Sequence, residues 1–266
     1  MPLIQIDDIK LAYDSTGSGS PIVFVHGYPF NRTLWNDQVA ALSDRYRVIT
    51  LDLPGFGESS IPDGTATMSR MAQDVAKLMD KLDISEATLA GLSMGGYVLL
   101  SFYKQFAHRV SALVLADTRA SADTEEGKKV RAQQAETILE EGMAATADSM
   151  LPKLLTPETV AKHADIVKRV RDMMVKTKPE GAAAALHGMA SREDQTDLLS
   201  KIKCPTLILV GRTDPITPVA DSELMHQKIE GSKLIVIENA AHVSNIEQVD
   251  QFNAGLKTFL GELNKA

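Results

Sequence analysis

Continuous runs of Val, Ile, Leu and Ala recur along the chain, separated by stretches in which apolar residues return every three or four positions. The runs lie in PIVFVHG, YRVITLDLPG, ATLAGLS, VSALVLAD, CPTLILVGRTDP and SKLIVIEN. Runs of this kind, rich in β-branched residues and lacking strict alternation, predict strands buried on both faces. The intervening periodicity predicts helices over 33–44, 69–83, 94–106, near 218–229 and from 246 onward. Ahead of them, LIQIDDIKLAY (3–13) holds two short apolar segments around Asp7 and Asp8, the pattern of a hairpin. Strand–helix alternation of this length predicts an α/β domain whose parallel sheet is covered by helices on both faces.

The rhythm stops at Asp117. From 119 to 200 the chain reads as helix throughout, as in TEEGKKVRAQQAETILEEG, TPETVAKHADIVKRVRDMMVKTK and PEGAAAALHGMA. Pro152, Pro157 and Pro179 punctuate it as helix starts or stops. Strands resume at CPTLILVG. The organisation expected is a core built from 1–118 and 201–266, with an all-helical cap, 119–200, inserted after the sixth strand.

Bulk properties narrow the partners. A formal net charge of −7 speaks against nucleic acid or an anionic membrane, both of which select a basic face. Cys204 is alone, so neither an internal disulfide nor a cysteine zinc cluster is available. The segment STGSGS lacks the Lys-Ser/Thr ending of a phosphate-binding loop. The start, MPLIQIDDIKLAYD, has no basic-then-apolar signal pattern, and no apolar run approaches membrane-spanning length. A cytoplasmic location is the expectation, with a small molecule as partner.

The chemistry gathers at LAGLSMGGYVLL (89–100), where a strand gives way to a helix at Gly-x-Ser-x-Gly. Composition alone yields that pattern ~0.07 times in a chain of this make-up, so its context carries the weight. In such a turn the nucleophile holds a strained backbone, and glycines two residues away on each side avoid collision with it. The following helix aims unpaired N–H groups at the same spot. Ser93 is therefore the candidate nucleophile, and it needs a base.

Of the six histidines, His163, His187 and His226 lie in helix-like sequence, and His108 ends a helix where a cation complements the dipole. His26 precedes Gly27 at a strand end. His242, in IENAAHVSNIE after the last strand, stands at the carboxyl edge where such sheets hold their sites. It is the candidate base. Asp214, in LILVGRTDPITP, ends the preceding strand and is preferred as the acid that orients it, with Asp117 as competitor. Asp52, beside Pro54, Gly55 and Gly57, reads as a turn anchor. The backbone N–H groups of Met94 and Tyr28 are the candidate oxyanion donors, with His26 holding the Tyr28 loop.

With VHGYP, DLPGFGES, GLSMGGY, GRTDPITP and ENAAHVSNIE in this order, the chain resembles the α/β-hydrolase fold family over its full length. The resemblance implies an eight-stranded, mostly parallel sheet with a helical cap after strand six. It also implies a Ser93–His242–Asp214 triad and no metal or organic cofactor. Within the family the chain is most similar to capped serine esterases, 3-oxoadipate enol-lactonase-like enzymes and cofactor-free haloperoxidase-like perhydrolases. Serine at the elbow separates it from dehalogenases and epoxide hydrolases, which place Asp there.

There are departures. Enol-lactonases often carry an Asn-Ser-Leu-Gly-like loop where this chain has His26-Gly27, and Ala241 and Val249 replace a usual Gly and Pro. The implied activity is hydrolysis of carboxylic esters or lactones through an acyl-enzyme on Ser93. Carbon–carbon bond hydrolysis, peracid formation, and a ligand-gated receptor with little turnover remain as alternatives. Phe30 and Trp35, beside the oxyanion loop, are candidates for the pocket floor or for core. Met143, Met150, Met173, Met174 and Met189 could line an adaptable pocket or pack the cap together.

Overall fold

A computed structural model describes residues 2–263. It contains strands β1 (Leu3–Ile6), β2 (Ile9–Thr16), β3 (Pro21–Val25), β4 (Arg47–Leu51), β5 (Ala87–Leu92), β6 (Val110–Ala116), β7 (Thr206–Gly211) and β8 (Lys233–Ile237). They form one eight-stranded sheet in the order β1-β2-β4-β3-β5-β6-β7-β8. β1 and β2 make the antiparallel hairpin, with Asp7 in the left-handed region at its turn. β2 pairs antiparallel with β4, and every later pairing is parallel.

The parallel strands are apolar throughout because both of their faces are covered. In β3, Val23 and Val25 enter one buried cluster, while Ile22 and Phe24 enter a second on the opposite face. Leu113 and Leu115 of β6 join the first cluster, and Ala112, Val114 and Ala116 join the second. A period of two thus feeds two cores from one strand.

The helices are α1 (Asn36–Leu42), α2 (Met68–Lys81), α3 (Met94–Phe106), α4 (Glu125–Glu141), α5 (Met143–Leu154), α6 (Pro157–Lys162), α7 (Ala164–Val175), α8 (Pro179–Ala190), α9 (Val219–Lys228), α10 (Ser244–Glu247) and α11 (Val249–Leu263). The first cluster takes Met71 and Val75 of α2, Val98 and Phe102 of α3, and Met225 of α9. The second takes Leu42 of α1 and Phe252, Leu256 and Phe259 of α11.

Three local readings shift. The helix expected from 33 begins instead as a 3-10 turn, Arg32–Trp35, because the Asn31 side chain accepts from Thr33 N–H and tightens the entry. The last helix starts at Val249, after the short α10. Pro157 and Pro179 open helices as the sequence suggests, but Pro152 sits inside the final turns of α5. There it removes the bond its N–H would give the Asp148 carbonyl, two residues before the helix ends.

Helices α4 to α8 all lie between β6 and β7. Their seat against the sheet layer is close. A Cβ on Gly181 of α8 would meet the backbone of Gly55, and Ala66 N–H donates to Ala184 O at 3.3 Å. Arg169 of α7 pairs with Asp37 at 2.6 Å, and Thr177 donates its hydroxyl to the Pro29 carbonyl at 2.8 Å.

Candidate active site

Ser93 occupies the residue between β5 and α3 with φ 55° and ψ −116°, a conformation that side chains rarely adopt. Four hydrogen bonds hold it there. Ser93 N–H donates to Ala116 O at 2.9 Å, and Ser93 O accepts from Gly96 N at 2.9 Å, Tyr97 N at 3.3 Å and Thr118 Oγ1 at 2.8 Å. The flanking glycines are required by close approach. A Cβ on Gly91 would lie 2.6 Å from the Gly95 carbonyl carbon, and one on Gly95 would run into the Val25 carbonyl oxygen. The sharp turn lifts the serine oxygen clear of the strand ends.

His242 meets it. The imidazole Nε2 lies 2.8 Å from Ser93 Oγ and Nδ1 lies 2.7 Å from Asp214 Oδ2, all three side chains being buried. A carboxylate can only accept, so Nδ1 carries the proton and Nε2 is free to accept from the serine hydroxyl. Asp214 is saturated with donors: Ile216 N at 2.8 Å, Thr217 N at 3.0 Å and Thr217 Oγ1 at 2.6 Å. Burial alone would raise its pKa. The charge and hydrogen bond of His242, with the Thr217 bonds, outweigh burial and hold the carboxyl below its usual value. It stays ionised beside the imidazole.

Asp117, the competing acid, is fully buried and engaged elsewhere. It accepts from Gly211 N at 2.8 Å and Ser244 Oγ at 2.6 Å, tying β7 to the histidine loop. Burial, reinforced by the nearby Asp214 charge, pushes its pKa well up. Asp52 anchors a turn by accepting from Arg32 N at 2.7 Å and Glu58 N at 2.9 Å, while forming an ion pair with the Arg32 guanidinium.

The candidate oxyanion donors stand close together, Tyr28 in the loop after β3 and Met94 at the start of α3. A Cβ on Gly27 would approach Ser93 Cβ to 3.2 Å, which brings the Tyr28 loop against the elbow. Neither Tyr28 N–H nor Met94 N–H has an acceptor among the described residues. His26 braces the loop: Nδ1 bonds Gly27 O at 2.9 Å and Nε2 accepts Leu53 N–H at 3.0 Å. Burial lowers its pKa, in keeping with a neutral ring.

A cavity of about 580 Å³ opens over Ser93 and His242, roofed by α4, α5 and α8. Its volume lies within the range of small-molecule sites, roughly 300–1,000 Å³. Phe30 and Trp35 do not line it. Both are 0% exposed and pack in the second cluster, Trp35 against Phe24 with ring centroids 4.8 Å apart. The turn capped by Asn31 rolls them beneath the loop into the core, so their assignment to the pocket floor is corrected. The methionines of α5, α7 and α8 divide: Met150 and Met189 line the cavity, while Met143, Met173 and Met174 pack within the clusters. His108, His163, His187 and His226 lie outside it.

Three contributors escaped the sequence. Thr217, three residues beyond Asp214, had a visible signal in the Asp-Pro-x-Thr turn. Arg131, which lines the cavity from α4, and Glu247, whose partner Thr156 lies 91 positions away, had none. Glu247 accepts from Ala241 N at 2.6 Å and from Thr156 N at 2.7 Å, and Val243 N donates to Leu154 O at 3.2 Å. The residues on either side of His242 are therefore clamped to the end of α5. Among the described residues no group of three His, Cys, Asp or Glu side chains could hold a metal, and no helix is long and apolar enough to cross a membrane.

A family model described as the alpha/beta hydrolase fold matches residues 20–249. The chain is 30% identical to 3-oxoadipate enol-lactonase 2 of Acinetobacter baylyi, across 98% of this chain and 97% of that one. A thermophilic esterase from Thermogutta terrifontis superposes with TM-score 0.94 at 41% identity, covering 96% of this chain and 94% of the other. The enol-lactonase of Burkholderia xenovorans LB400 superposes with TM-score 0.92 at 31% identity, covering 98% and 100%. The chain belongs to the alpha/beta-hydrolase-fold family.

Proposed function

We propose that the protein is a serine hydrolase of carboxylic esters or lactones. The observation that carries this reading is the unbroken chain of short contacts from Ser93 Oγ through His242 to Asp214, at 2.8 and 2.7 Å, at the floor of a cavity. The hydroxyl adds to the substrate carbonyl carbon as its proton passes to His242 Nε2. The imidazolium that forms is stabilised by ionised Asp214. The backbone N–H groups of Met94 and Tyr28 receive the developing oxyanion. Collapse of the tetrahedral adduct breaks the bond to the leaving oxygen, which takes the proton from His242, and leaves an acyl ester on Ser93. Water, deprotonated by the same imidazole, then hydrolyses that ester and restores the serine. Residues 119–200 act as the cap that encloses the substrate and sets its selectivity. The esterase and enol-lactonase relatives, each matched over nearly the whole chain, support this class of substrate.

The test combines turnover with labelling. Repeated hydrolysis of a p-nitrophenyl ester, and fluorophosphonate modification of Ser93, are the expected results. A single burst without turnover contradicts the reading and favours a ligand receptor. Adding a lactone, a peracid-forming acid and a dienoic diketone to the panel separates ester and lactone hydrolysis from peracid formation and carbon–carbon cleavage.

A further inference from the structure

The cavity has an uneven charge. Among the residues that line it are two basic side chains, Arg131 of α4 and Lys153 of α5, and no aspartate or glutamate. This holds in a chain whose formal net charge is −7. Behind Arg131 the imbalance continues, because one buried carboxylate serves three guanidiniums. Asp123 bonds Arg131 Nε at 2.5 Å, Arg192 Nη1 at 2.7 Å and Arg119 Nη2 at 3.0 Å. These bonds more than offset burial and hold Asp123 ionised, well below its ordinary pKa. Asp221 and Asp194 act on Arg119 and Arg192 from further away, and Asp194 is already committed to the N–H groups of Ala122 and Thr196.

The hydrogen-bonding capacity of Arg131 is not spent. Its Nε and Nη2 turn to Asp123, whereas Nη1 has only the Met189 thioether at 3.5 Å, a weak acceptor. Lys153 forms no ion pair among the described residues and stands exposed at the rim. Tyr28 also lines the cavity, and its buried hydroxyl has no partner. Burial raises the phenol pKa, so the group is a donor at neutral pH. Its ring is fixed edge-on to Phe56 at 6.2 Å. Unused donors on fixed side chains in an acid-free cavity match an anion, and a guanidinium fits a carboxylate best.

We propose that the substrate is an ester or lactone bearing a second, anionic group, a carboxylate held by Arg131 with Tyr28 Oη as further donor and Lys153 at the entrance. This rests on the serine hydrolase reading and names its substrate class. Arg131 and Tyr28 then set specificity, while Ser93 and His242 do the chemistry.

Matched esters test it. Mono-p-nitrophenyl glutarate against p-nitrophenyl pentanoate places the carboxylate on the acyl side, and p-carboxyphenyl acetate against phenyl acetate places it on the alcohol side. One anionic member is expected to exceed its neutral partner in kcat/KM by about tenfold or more, the worth of a charge-assisted hydrogen bond. Arg131→Gln lowers that ratio about tenfold, chiefly through KM, whereas Arg131→Lys retains most of it. Tyr28→Phe lowers it by a smaller factor. Independently of turnover, glutarate slows fluorophosphonate labelling of Ser93 in the wild type and not in Arg131→Gln. No preference in either pair, equal scaling of both members by Arg131→Gln, or labelling indifferent to glutarate overturns the inference and leaves the hydrolase reading standing. Failure of all four esters together with an unlabelled Ser93 overturns both.

Discussion

The sheet and the helices that roof it solve different problems. In β3, β5, β6 and β7 nearly every residue is buried, and neighbouring side chains feed opposite cores. In α4, by contrast, Ala135 and Ile138 are the buried residues of a 17-residue helix. The sheet owes its position to apolar area, which is directionless and abundant. The roof shares apolar packing through α5, α7 and α8 but adds directional ties: Asp123 to its arginines, Arg169 to Asp37, Thr177 to the Pro29 carbonyl and Glu247 to Thr156. The difference teaches where precision and adaptability reside. Short bonds fix Ser93, His242 and Asp214 at the strand ends, and most of the cavity's lining comes from the roof, where substitutions alter the lining first.

Substitutions in each region should break or sharpen that contrast. The largest effect is expected at the strand ends: Asp214→Asn should lower kcat by on the order of 10⁴, by disrupting the orientation and tautomer of His242. Asp117→Asn should stay within about tenfold, because Asp117 braces the loop and does not touch the imidazole. Steady-state kinetics of the pair decides between them, and the reverse ranking would move the acid to Asp117. Next comes Trp35→Ala, expected to cost about 3–5 kcal/mol in denaturant unfolding as a core truncation. Its relative preference among esters should not change, since Trp35 does not reach the cavity.

Glu247→Gln is smaller. It replaces one of two acceptor oxygens with a donor facing a backbone N–H, a mismatch of about 1–3 kcal/mol. Because that carboxylate links the histidine loop to α5, the loss should appear in kcat more than in overall stability. Comparing kcat, KM and Tm for the variant checks this. The smallest effect is expected at Asp123. A carboxyl whose folded pKa lies below the ordinary 3.8 adds stability above that value and loses it as pH falls through the folded value. Wild-type protein should therefore show faster protease cleavage within 119–200 as pH drops below about 4, with the sheet unaffected. Asp123→Asn should show that cleavage already at neutral pH.

How much of this was legible in the sequence follows the same division. The parallel strands announced themselves because double burial forces unbroken apolar runs, and the Ser93 turn did so because Gly91 and Gly95 have no room for a side chain. Asp214 and His242 were readable from their place after consecutive strands. The assignment of Phe30 and Trp35 failed for a physical reason. Adjacency to the oxyanion loop fixes distance along the chain, but the Asn31-capped turn decides which way the rings point. Glu247 was opaque because its partner Thr156 lies 91 positions away, and Arg131 because nothing near it in sequence marks which face of α4 meets the cavity.

The central claim is that Ser93 carries the acyl group between two half-reactions. Rapid quench of the wild type with a p-nitrophenyl ester, followed by peptide mapping by mass spectrometry, tests it most directly. The account predicts one acyl group per chain, on the peptide containing Ser93, formed at the rate of nitrophenolate release and absent in Ser93→Ala. Undiminished hydrolysis by Ser93→Ala, or an acyl group found on another residue, would contradict it.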